Sequence, residues 1–398
     1  MLNHSVSLTR PDTWFRRRRY LHFDVPVSRG YAASVVTAPE RVAAHSFYPF
    51  IWTLLKAKKY RKEGARMVWE WKEREIAYSA HLDSHIYAYY SQLLVDRYET
   101  ELERLDLRNT VLAFRALGQS NIHFARHAFQ EIERRTRKTG ECYAVGFDIS
   151  KFFDHLDHRI LKEQWATLIG SARLPADHFS VYRSLTRWCR VEKVALYQAL
   201  GISIHNPRKL NSVRICEPAV FRDVVKSNGL LVVNDKPFGI PQGSPISAVL
   251  SNIYMLTFDQ RMRDFAASVG AEYLRYCDDM LFIASPSVSN ELKTFTRQEL
   301  LNMKLTLNED KTEESVYTLV DGKIRATKPL QYLGFTFDGG NARIRPNSYQ
   351  RYFDKMRRGV NLARKTREKR NSSRVRRGHP RKAIHLKKLY RQYSYLGR

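Results

Sequence analysis

Two short, largely apolar runs, residues 271–275 and 280–284, lie on either side of the segment Tyr276-Cys277-Asp278-Asp279. Apolar runs around a short polar segment predict two strands joined by a turn, which places Asp278 and Asp279 at the tip of a β-hairpin. Adjacent carboxylates repel each other and resist desolvation, so a divalent cation is the most direct way to neutralise them. Taken alone, the pair is more typical of a solvated Asp-Asp turn.

A second apolar segment, residues 143–147, ends in Asp148 and is followed by a helical stretch from about His155 to Ile169. This pattern predicts a strand with Asp148 at its carboxyl end, where open α/β sheets hold their chemistry. Asp148 alone would also suit the cap of the next helix, but beside the hairpin it predicts a site for two cations. Because neighbouring strand side chains point to opposite faces, Asp278 is predicted as the principal ligand and Asp279 as the secondary one.

A turn-rich loop, residues 238–247, leads directly into an apolar stretch of helical character. Ser244 suits the N-cap of that helix and Pro245 suits its first position. Gly243 would allow close approach of the backbone, and Gln242 would line a pocket for a phosphate or a stacked nucleotide at the helix start. An ordinary capped helix is the alternative interpretation.

Three segments, residues 147–153, 241–245 and 276–279, resemble in order and spacing the central palm motifs of reverse transcriptases. Residues 307–312 resemble the next palm element of that family, and residues 331–335 resemble its primer-grip hairpin. The resemblance implies an α+β, right-hand polymerase fold, with fingers, a palm built on an antiparallel sheet and a helical thumb. It also implies an RNA-directed DNA polymerase, a nucleotidyltransferase that uses two Mg²⁺ ions and dNTP substrates.

By position, the resemblance divides the chain into four parts. These are an N-terminal extension over residues 1–66, helical fingers over 67–142, a palm over 143–342 with a finger insertion at about 170–235, and a basic helical thumb over 343–398. In the fingers, the stretch from Trp69 to Leu105 is predicted to be helical, because its apolar residues are spaced for packing with many charges between them.

The resemblance further implies roles for individual residues. The metal ligands would be Asp148, Ile149, Asp278 and Asp279. Lys311 would join the three aspartates in catalysis by neutralising or protonating the pyrophosphate. The incoming nucleotide would contact Ile149, Phe153, Gln242, Gly243 and Arg115, and the primer grip would be Tyr332, Leu333 and Gly334.

Two of the nucleotide contacts have a competing interpretation. Phe153 matches the aromatic side chain that excludes a ribose 2′-hydroxyl, which favours DNA as the product. A core aromatic is the alternative, because Phe152 and Phe153 would both fit under the palm. Arg115 lies where related enzymes carry basic residues that hold the triphosphate, and a solvated arginine on a helix face is the alternative.

Lysine and arginine far outnumber the acidic residues, and the net charge of the 398-residue chain is +28. Such an excess predicts a polyanionic partner. Residues 343–398 hold 20 Lys or Arg against Asp354 and Glu368, which gives +18 of the total. The interleaved aromatic residues suit a surface that follows phosphates and stacks on bases, although they would also suit the core of a thumb. The predicted nucleic-acid contacts are Arg357, Arg358, Arg374, Arg376, Arg377, Lys387 and Lys388.

No apolar run approaches the 18 or more residues of a membrane-spanning helix, and Arg16–Arg19 are not followed by the apolar core of a signal peptide. We therefore expect a cytoplasmic protein without membrane contact. The four cysteines form no close pair, which predicts free thiols.

The chain length leaves no room for an RNase H, protease or integrase domain beside the polymerase, so the chain most resembles the stand-alone bacterial defence-associated reverse transcriptases, in particular the type 2 kind. A retron enzyme is the alternative subfamily, and the palm also resembles that of group II intron enzymes. The resemblance implies that a partner noncoding RNA is copied into cDNA during phage infection. Template-independent or protein-primed DNA synthesis and an RNA-binding scaffold with an idle palm are the other hypotheses, and the oligomeric state is left open.

Overall fold

The computed structural model describes residues 13–63, 66–207 and 212–394. Residues 1–12 of the predicted N-terminal extension and 395–398 of the predicted thumb lie outside the described residues. The described chain forms three β-sheets with helices packed around them, and the sheet that holds the predicted palm strands is antiparallel. The predicted α+β fold class is confirmed.

The fingers contain a long β-hairpin where the sequence predicted a helix. The first elements of the chain are α1 (Arg29–Val36), α2 (Pro39–Ala43), β1 (Phe50–Glu63), β2 (Arg66–Tyr78), α3 (His81–Arg104) and α4 (Asn121–Thr139). β1 and β2 pair antiparallel along their length, from Ile51 opposite Tyr78 to Glu63 opposite Arg66. The helix prediction from Trp69 is therefore wrong up to Tyr78, because cross-strand pairing outweighs the helix propensity of the many Glu, Lys and Arg residues. The predicted boundary between residues 66 and 67 also divides this hairpin.

A second part of the chain completes the fingers sheet. The next elements are β3 (Glu141–Asp148), α5 (Phe152–His155), α6 (His158–Leu168), α7 (Ala176–Thr186), β4 (Cys189–Glu192), α8 (Lys193–Ala199), α9 (Pro218–Val220), a π-helix (Phe221–Lys226) and β5 (Leu231–Val233). β4 pairs parallel with the first residues of β1 and antiparallel with β5, which gives the strand order β2-β1-β4-β5. The segment predicted as an insertion at about 170–235 therefore shares a sheet with the hairpin.

The remaining elements form the palm and thumb. They are α10 (Ser247–Tyr254), α11 (Leu256–Ser268), β6 (Glu272–Tyr276), β7 (Asp279–Ala284), a 3₁₀ turn (Pro286–Val288), α12 (Ser289–Asn302), a second 3₁₀ turn (Glu309–Lys311), β8 (Glu313–Val320), β9 (Lys323–Ala326), β10 (Leu330–Tyr332), β11 (Phe335–Phe337), β12 (Ala342–Ile344), α13 (Pro346–Arg376) and α14 (Leu386–Tyr393). The palm sheet has the order β6-β7-β3-β8-β9, and β10, β11 and β12 form a smaller sheet.

Strand alternation in β3 builds two separate cores, one on each face of the palm sheet. Tyr143, Val145 and Phe147 belong to a large cluster that includes residues from α3, α6, α10 and α11. Cys142 and Ala144 belong to a second cluster with residues of α4 and of β10 and β11. Because side chains alternate along a strand, Asp148 lies on the same face as Cys142 and Ala144.

The thumb helix is longer than the sequence predicted. The sequence pattern predicts helices over residues 348–368 and from Arg381, with a basic linker over residues 370–380 between them, but α13 continues through most of that linker to Arg376. No residue of α13 or of α14 is buried. The alternative that the thumb aromatics form a core does not hold for Tyr349, Tyr352 and Tyr390, which are 56%, 43% and 61% exposed.

Within the described residues, no helix has both the length and the apolar character needed to cross a membrane. All four cysteines are free thiols, as predicted from their spacing, and Cys142 and Cys277 are buried.

Candidate active site

The fold brings the three predicted aspartates together at one end of the palm sheet. Asp148 is the last residue of β3 and Asp279 is the first residue of β7, and the two lie directly opposite each other in antiparallel register. Directly paired residues have Cβ atoms about 4.5–5.5 Å apart and point to the same face of a sheet. Asp278 occupies the intervening turn, where its carbonyl oxygen accepts a hydrogen bond of 3.1 Å from the Ile149 N–H.

The strand register does not follow the predicted order of the two hairpin aspartates as metal ligands. Alternation along the hairpin favoured Asp278 as the principal ligand, whereas the register pairs Asp279 with Asp148. Asp278 lies in the turn just before Asp279, in which Cys277 adopts a left-handed backbone conformation with φ of 60°. The negative charges of Asp278 and Asp148 both act on Asp279, which therefore lies between the other two aspartates electrostatically.

Electrostatics at the site favours the binding of a positive charge. Burial, followed by the negative charges of Asp278 and Asp148, raises the pKa of Asp279 to about 7, against the opposing charges of Lys311 and Arg345. A carboxyl with such a pKa binds a proton near neutral pH unless a cation takes its place. A divalent cation bound by these carboxylate oxygens would therefore stabilise the ionised form of Asp279.

Lys311 provides a positive charge at the site. Its Nζ atom lies 2.6 Å from Asp148 Oδ2, and its side chain is 46% exposed. The preceding segment is fixed because the Asn308 N–H donates to the Asp148 carbonyl oxygen over 2.8 Å. Lys311 therefore lies beside Asp148, and its charge opposes the rise in the pKa of Asp279.

The residue types at the site fit Mg²⁺, although their present arrangement is not a finished ligand shell. Among the residues that the structure describes, no group of three His, Cys, Asp or Glu side chains is placed to hold an ion. Carboxylate oxygens are the ligands that Mg²⁺ prefers in proteins, and Asp148, Asp278 and Asp279 supply them. The half-exposed Lys311 side chain can swing away from Asp148 to release that carboxylate.

A buried ion pair that was not predicted from the sequence anchors the turn that carries Asp278. Arg275 and Asp259 are both fully buried, and Arg275 Nη2 lies 2.6 Å from Asp259 Oδ2. Arg275 Nη1 also donates to the Cys277 carbonyl oxygen over 3.0 Å, and the Tyr273 hydroxyl donates to Asp259 Oδ1 over 2.9 Å. The pair thus ties α11 to the residue that precedes Asp278. An arginine inside an otherwise buried strand was the sequence signal for it.

The Gln242 loop holds the palm against the fingers hairpin. The Ala77 N–H donates to the Gln242 carbonyl oxygen over 2.8 Å. Gly243 has φ of +113°, and a Cβ atom there would lie 2.5 Å from the Ala77 carbonyl oxygen. The close approach that Gly243 permits is therefore an approach to β2, while Gln242 also lines a cavity of about 310 Å³ between fingers and palm.

The helix after this loop begins later than predicted. α10 starts at Ser247, its N-cap position is Ile246, and no side chain caps it. Ser244 and Pro245 instead form part of a turn, in which the Ser247 N–H donates to the Ser244 carbonyl oxygen over 3.2 Å. Ser244 is therefore not the N-cap, and its buried hydroxyl has no hydrogen-bond partner among the described residues.

Two predicted nucleotide contacts, Ile149 and Phe153, follow Asp148 in the chain and are at least partly buried. Ile149 is 1% exposed, so only its backbone atoms can reach a ligand. Phe153 is partly buried against the larger palm core, and its carbonyl oxygen accepts a hydrogen bond of 3.0 Å from the Ile240 N–H. This bond connects Phe153 to the loop that carries Gln242.

Arg115 is not placed to hold a triphosphate, which corrects the sequence prediction. Its side chain is 1% exposed and forms a salt bridge with Glu99, with Nη2 at 2.7 Å from Oε2. Its Nη1 also donates to the carbonyl oxygens of Arg108 and Val111. The guanidinium is fully occupied in binding α3 to the following loop, so the alternative of a solvated arginine is wrong as well.

The predicted primer-grip residues form a tight turn near the aspartates. Tyr332 ends β10, and Leu333 and Gly334 make the turn with φ of 45° and 91°. Burial, and after it the negative charge of Asp279, raises the pKa of Tyr332, which places this tyrosine within electrostatic reach of the site. The Leu333 carbonyl oxygen accepts a bond of 3.2 Å from Asn121 Nδ2, which fixes the turn against α4.

The predicted thumb cations lie along two exposed helices. Arg357, Arg358, Arg374 and Arg376 are on α13, Arg377 follows its last turn, and Lys387 and Lys388 are on α14. Two of them form hydrogen bonds within the thumb: Arg374 Nε donates to the Pro380 carbonyl oxygen over 2.8 Å, and Arg358 Nε donates to the Asp354 carbonyl oxygen over 3.2 Å. The remaining cations form a positively charged surface that suits phosphates.

One part of the chain matches a known protein family. Residues 208–337 match the family model described as reverse transcriptase (RNA-dependent DNA polymerase). This segment includes Gln242, Asp278, Asp279 and Lys311, and the fold adds Asp148 from outside it. The match confirms the predicted enzyme class, an RNA-directed DNA polymerase, for the matched domain. No curated protein matches the chain in sequence.

Several solved structures are similar to this chain. Apo telomerase from Candida tropicalis truncated from its C-terminal domain has 14% identity and a TM-score of 0.44, over 73% of this chain and 56% of that chain. Apo telomerase from Candida tropicalis has 14% identity and a TM-score of 0.45, over 73% of this chain and 47% of that chain. Telomerase from Candida albicans in complex with a fragment of telomeric RNA has 12% identity and a TM-score of 0.43, over 79% and 50%. This chain spans about half the length of these proteins.

Proposed function

We propose that the protein is an RNA-directed DNA polymerase that adds dNTPs to a primer at the end of the palm sheet. The observation that carries the proposal is the direct pairing of Asp148 with Asp279, with Asp278 in the turn between β6 and β7. The match of residues 208–337 to the reverse transcriptase family supports the same reaction.

Asp148, Asp278 and Asp279, with the backbone of Ile149, would hold two Mg²⁺ ions. Bound there, the ions would activate the primer 3′-hydroxyl and stabilise the charge on the leaving pyrophosphate. Lys311 neutralises Asp148 in the free protein, and its half-exposed ammonium group can then donate a proton to the pyrophosphate. The protein therefore contributes position and charge, and forms no covalent intermediate.

Phe153 and Gln242 would form the wall of the nucleotide site on the side of the fingers. The bond between Ile240 and Phe153 joins these two parts, so the position of the aromatic ring depends on the loop. A ring at this place excludes a 2′-hydroxyl and selects deoxyribonucleotides. The primer would lie against Tyr332, Leu333 and Gly334, and the thumb cations would bind the phosphates of the template–product duplex.

The template we propose is a partner noncoding RNA, and the product is its cDNA. The resemblance of the palm motifs to stand-alone bacterial reverse transcriptases supports a role in antiphage defence in the cytoplasm, in the manner of the type 2 kind. Sequencing of the RNA that copurifies with the protein, together with its extension products, identifies the template. Products without any template sequence would instead favour template-independent synthesis.

The decisive experiment is primer extension on an RNA template with dNTPs and Mg²⁺. The double variant Asp278→Ala/Asp279→Ala should lose at least about a thousandfold in rate, as expected when groups that stabilise the transition state are removed. The matched control is Asp321→Asn, because this exposed aspartate lies in the turn between β8 and β9, at the opposite end of the same sheet. Equal rates for the wild type and the double variant would refute the proposal.

A further inference from the structure

The fingers hairpin extends well beyond the sheet that holds its base. Only Phe50, Ile51 and Trp52 of β1 pair with β4, and the rest of β1 has β2 as its neighbour. The outer part is therefore a two-stranded ribbon of about ten residues per strand, roughly 35 Å long at the usual rise per residue. The side chains of residues 55, 56, 58 and 68–75 are exposed, and they include residues on both faces of the ribbon.

One face of this ribbon carries an exposed aromatic cluster with a cation above it. Trp69 and Trp71 are 48% and 50% exposed, and their rings lie 5.5 Å apart in an edge-to-face arrangement. Lys58 faces Trp71 across the hairpin, and its Nζ atom lies 4.3 Å from the Trp69 ring centroid and 5.7 Å from that of Trp71. Tryptophan side chains with this degree of solvent exposure are typical of binding surfaces.

The same face leads to the cavity beside the Gln242 loop. Side chains on one face of a strand recur every second residue, so Trp52, Lys56 and Lys58 share a face. Trp52 lines the cavity, and at its back the Arg190 guanidinium lies 4.6 Å from the Trp52 ring centroid and 4.7 Å from that of Trp188. Trp52 and Lys58 are about 20 Å apart along the strand. Glu73 and Glu75 share this face and form ion pairs with Lys56 and Arg190. The aromatic rings of Trp52, Trp71 and Trp69, with Lys58 beside the last two, therefore form the stacking surface of this face.

We propose that this face of the hairpin binds the single-stranded RNA template ahead of the active site. The inference rests on the proposed function, because it assigns a place to the unpaired part of that enzyme's template. Stacking on exposed aromatic rings beside cations is the usual way in which proteins bind unpaired nucleic acid without reading its sequence. The hairpin over residues 50–78 has eight Lys or Arg against four Glu, so its net charge also favours an RNA strand.

An unpaired strand fits this face better than a duplex does. Double-stranded RNA keeps its bases stacked on each other and is bound through phosphates and 2′-hydroxyls, which leaves exposed rings without a role. Two tryptophans offer stacking for two or more splayed bases. The continuity of this face with the cavity beside Gln242 places that strand on the path to the nucleotide site.

The test compares two ligands and two pairs of substitutions by fluorescence anisotropy. One ligand is a primer–template duplex with a 12-nucleotide single-stranded RNA overhang at the template 5′ end, and the other is the same duplex with a blunt end. The double variant Trp69→Ala/Trp71→Ala should bind the overhang ligand about 10- to 100-fold more weakly, with blunt-duplex binding unchanged. Trp69→Phe/Trp71→Phe keeps the stacking and should stay within about threefold of wild type.

The matched control is Leu55→Ala/Val68→Ala. Both residues are also exposed, at 54% and 42%, and the register places both on the opposite face of the hairpin. This variant should bind both ligands as the wild type does. Equal loss in both double alanine variants, or an unchanged affinity of the Trp69→Ala/Trp71→Ala variant for the overhang, would overturn the proposal. Tryptophan-dependent binding to lipid vesicles in place of RNA would overturn it as well.

The two proposals can fail separately. The anisotropy experiment is performed without dNTPs, so its result does not depend on catalysis. If Asp278→Ala/Asp279→Ala has no effect on extension while the tryptophan variants lose overhang binding, the polymerase proposal fails and the RNA surface stands. Intact extension with unchanged overhang binding refutes the hairpin surface alone.

Discussion

Asp279 is the residue whose ionisation the fold opposes most clearly at the active site. Its pKa rises from 3.8 to about 7, so the folded protein holds an extra proton between these two pH values. Stability is therefore lost as the pH rises through that window, because the folded state must give up a proton that it binds more tightly than the unfolded state does.

Asp279→Asn should accordingly stabilise the protein in the absence of divalent ions. At pH 8 we expect a gain of roughly 1–3 kcal/mol in the free energy of unfolding, and no gain at pH 4, where the carboxyl is largely protonated in the folded state. Urea denaturation in EDTA measures the difference, with Asp321→Asn as the control. Added Mg²⁺ should stabilise the wild type and not Asp279→Asn. A difference that is constant with pH would contradict this account.

Phe153 tests sugar selection at the scale of one side chain. Its backbone carbonyl oxygen accepts the bond from the Ile240 N–H, so a smaller side chain would open space without releasing the Gln242 loop. Phe153→Val should raise ribonucleotide incorporation relative to deoxyribonucleotide incorporation by about tenfold or more, the effect expected from removing steric exclusion. Competitive single-nucleotide extension with dNTP and rNTP gives the ratio. Phe153→Tyr keeps the bulk of the ring and should keep the wild-type ratio.

Among the structural elements, the turn between β6 and β7 depends on the buried pair of Arg275 and Asp259. Arg275→Met or Asp259→Leu alone leaves an unpaired buried charge and should cost about 3–5 kcal/mol of stability. The double variant Arg275→Met/Asp259→Leu should be more stable than either single variant. Its kcat in primer extension should nevertheless stay low, because the bond to the Cys277 carbonyl oxygen is absent. If kcat recovered together with stability in the double variant, Arg275 would have no part in positioning Asp278.

The palm elements were predictable because their strands are apolar runs that end in acids. β3, β6 and β7 lie within two residues of where residues 143–148, 271–275 and 280–284 indicated them. The hairpin of β1 and β2 was not predictable in the same way, since its charged residues favour a helix locally and the pairing of β2 with the neighbouring strand β1 decides otherwise. The burial of Arg115 could not be predicted from the sequence either, because it depends on the salt bridge with Glu99 in α3, which no local pattern reveals.

At the scale of the whole molecule, the positive charge is concentrated on a thumb that has no buried residue in its helices. A helix such as α13, which buries nothing over Pro346–Arg376, gains little from packing and is suited to lie along a partner. Its partner must be strongly acidic, since residues 343–398 carry +18. We therefore expect the affinity for a primer–template duplex to fall steeply as salt rises.

The contribution of the thumb to this salt dependence can be measured by removing two of its cations. Each phosphate contact adds about 0.9 to the slope of log K against log salt, so Arg376→Gln/Arg377→Gln should lower the slope by up to about 2. The control is Arg134→Gln/Arg137→Gln on α4, because these exposed arginines already form ion pairs with Glu131 and Glu133. The control should leave the slope unchanged. Equal slopes for both variants and the wild type would show that the duplex lies elsewhere, since a screened surface without phosphate contacts does not release counterions.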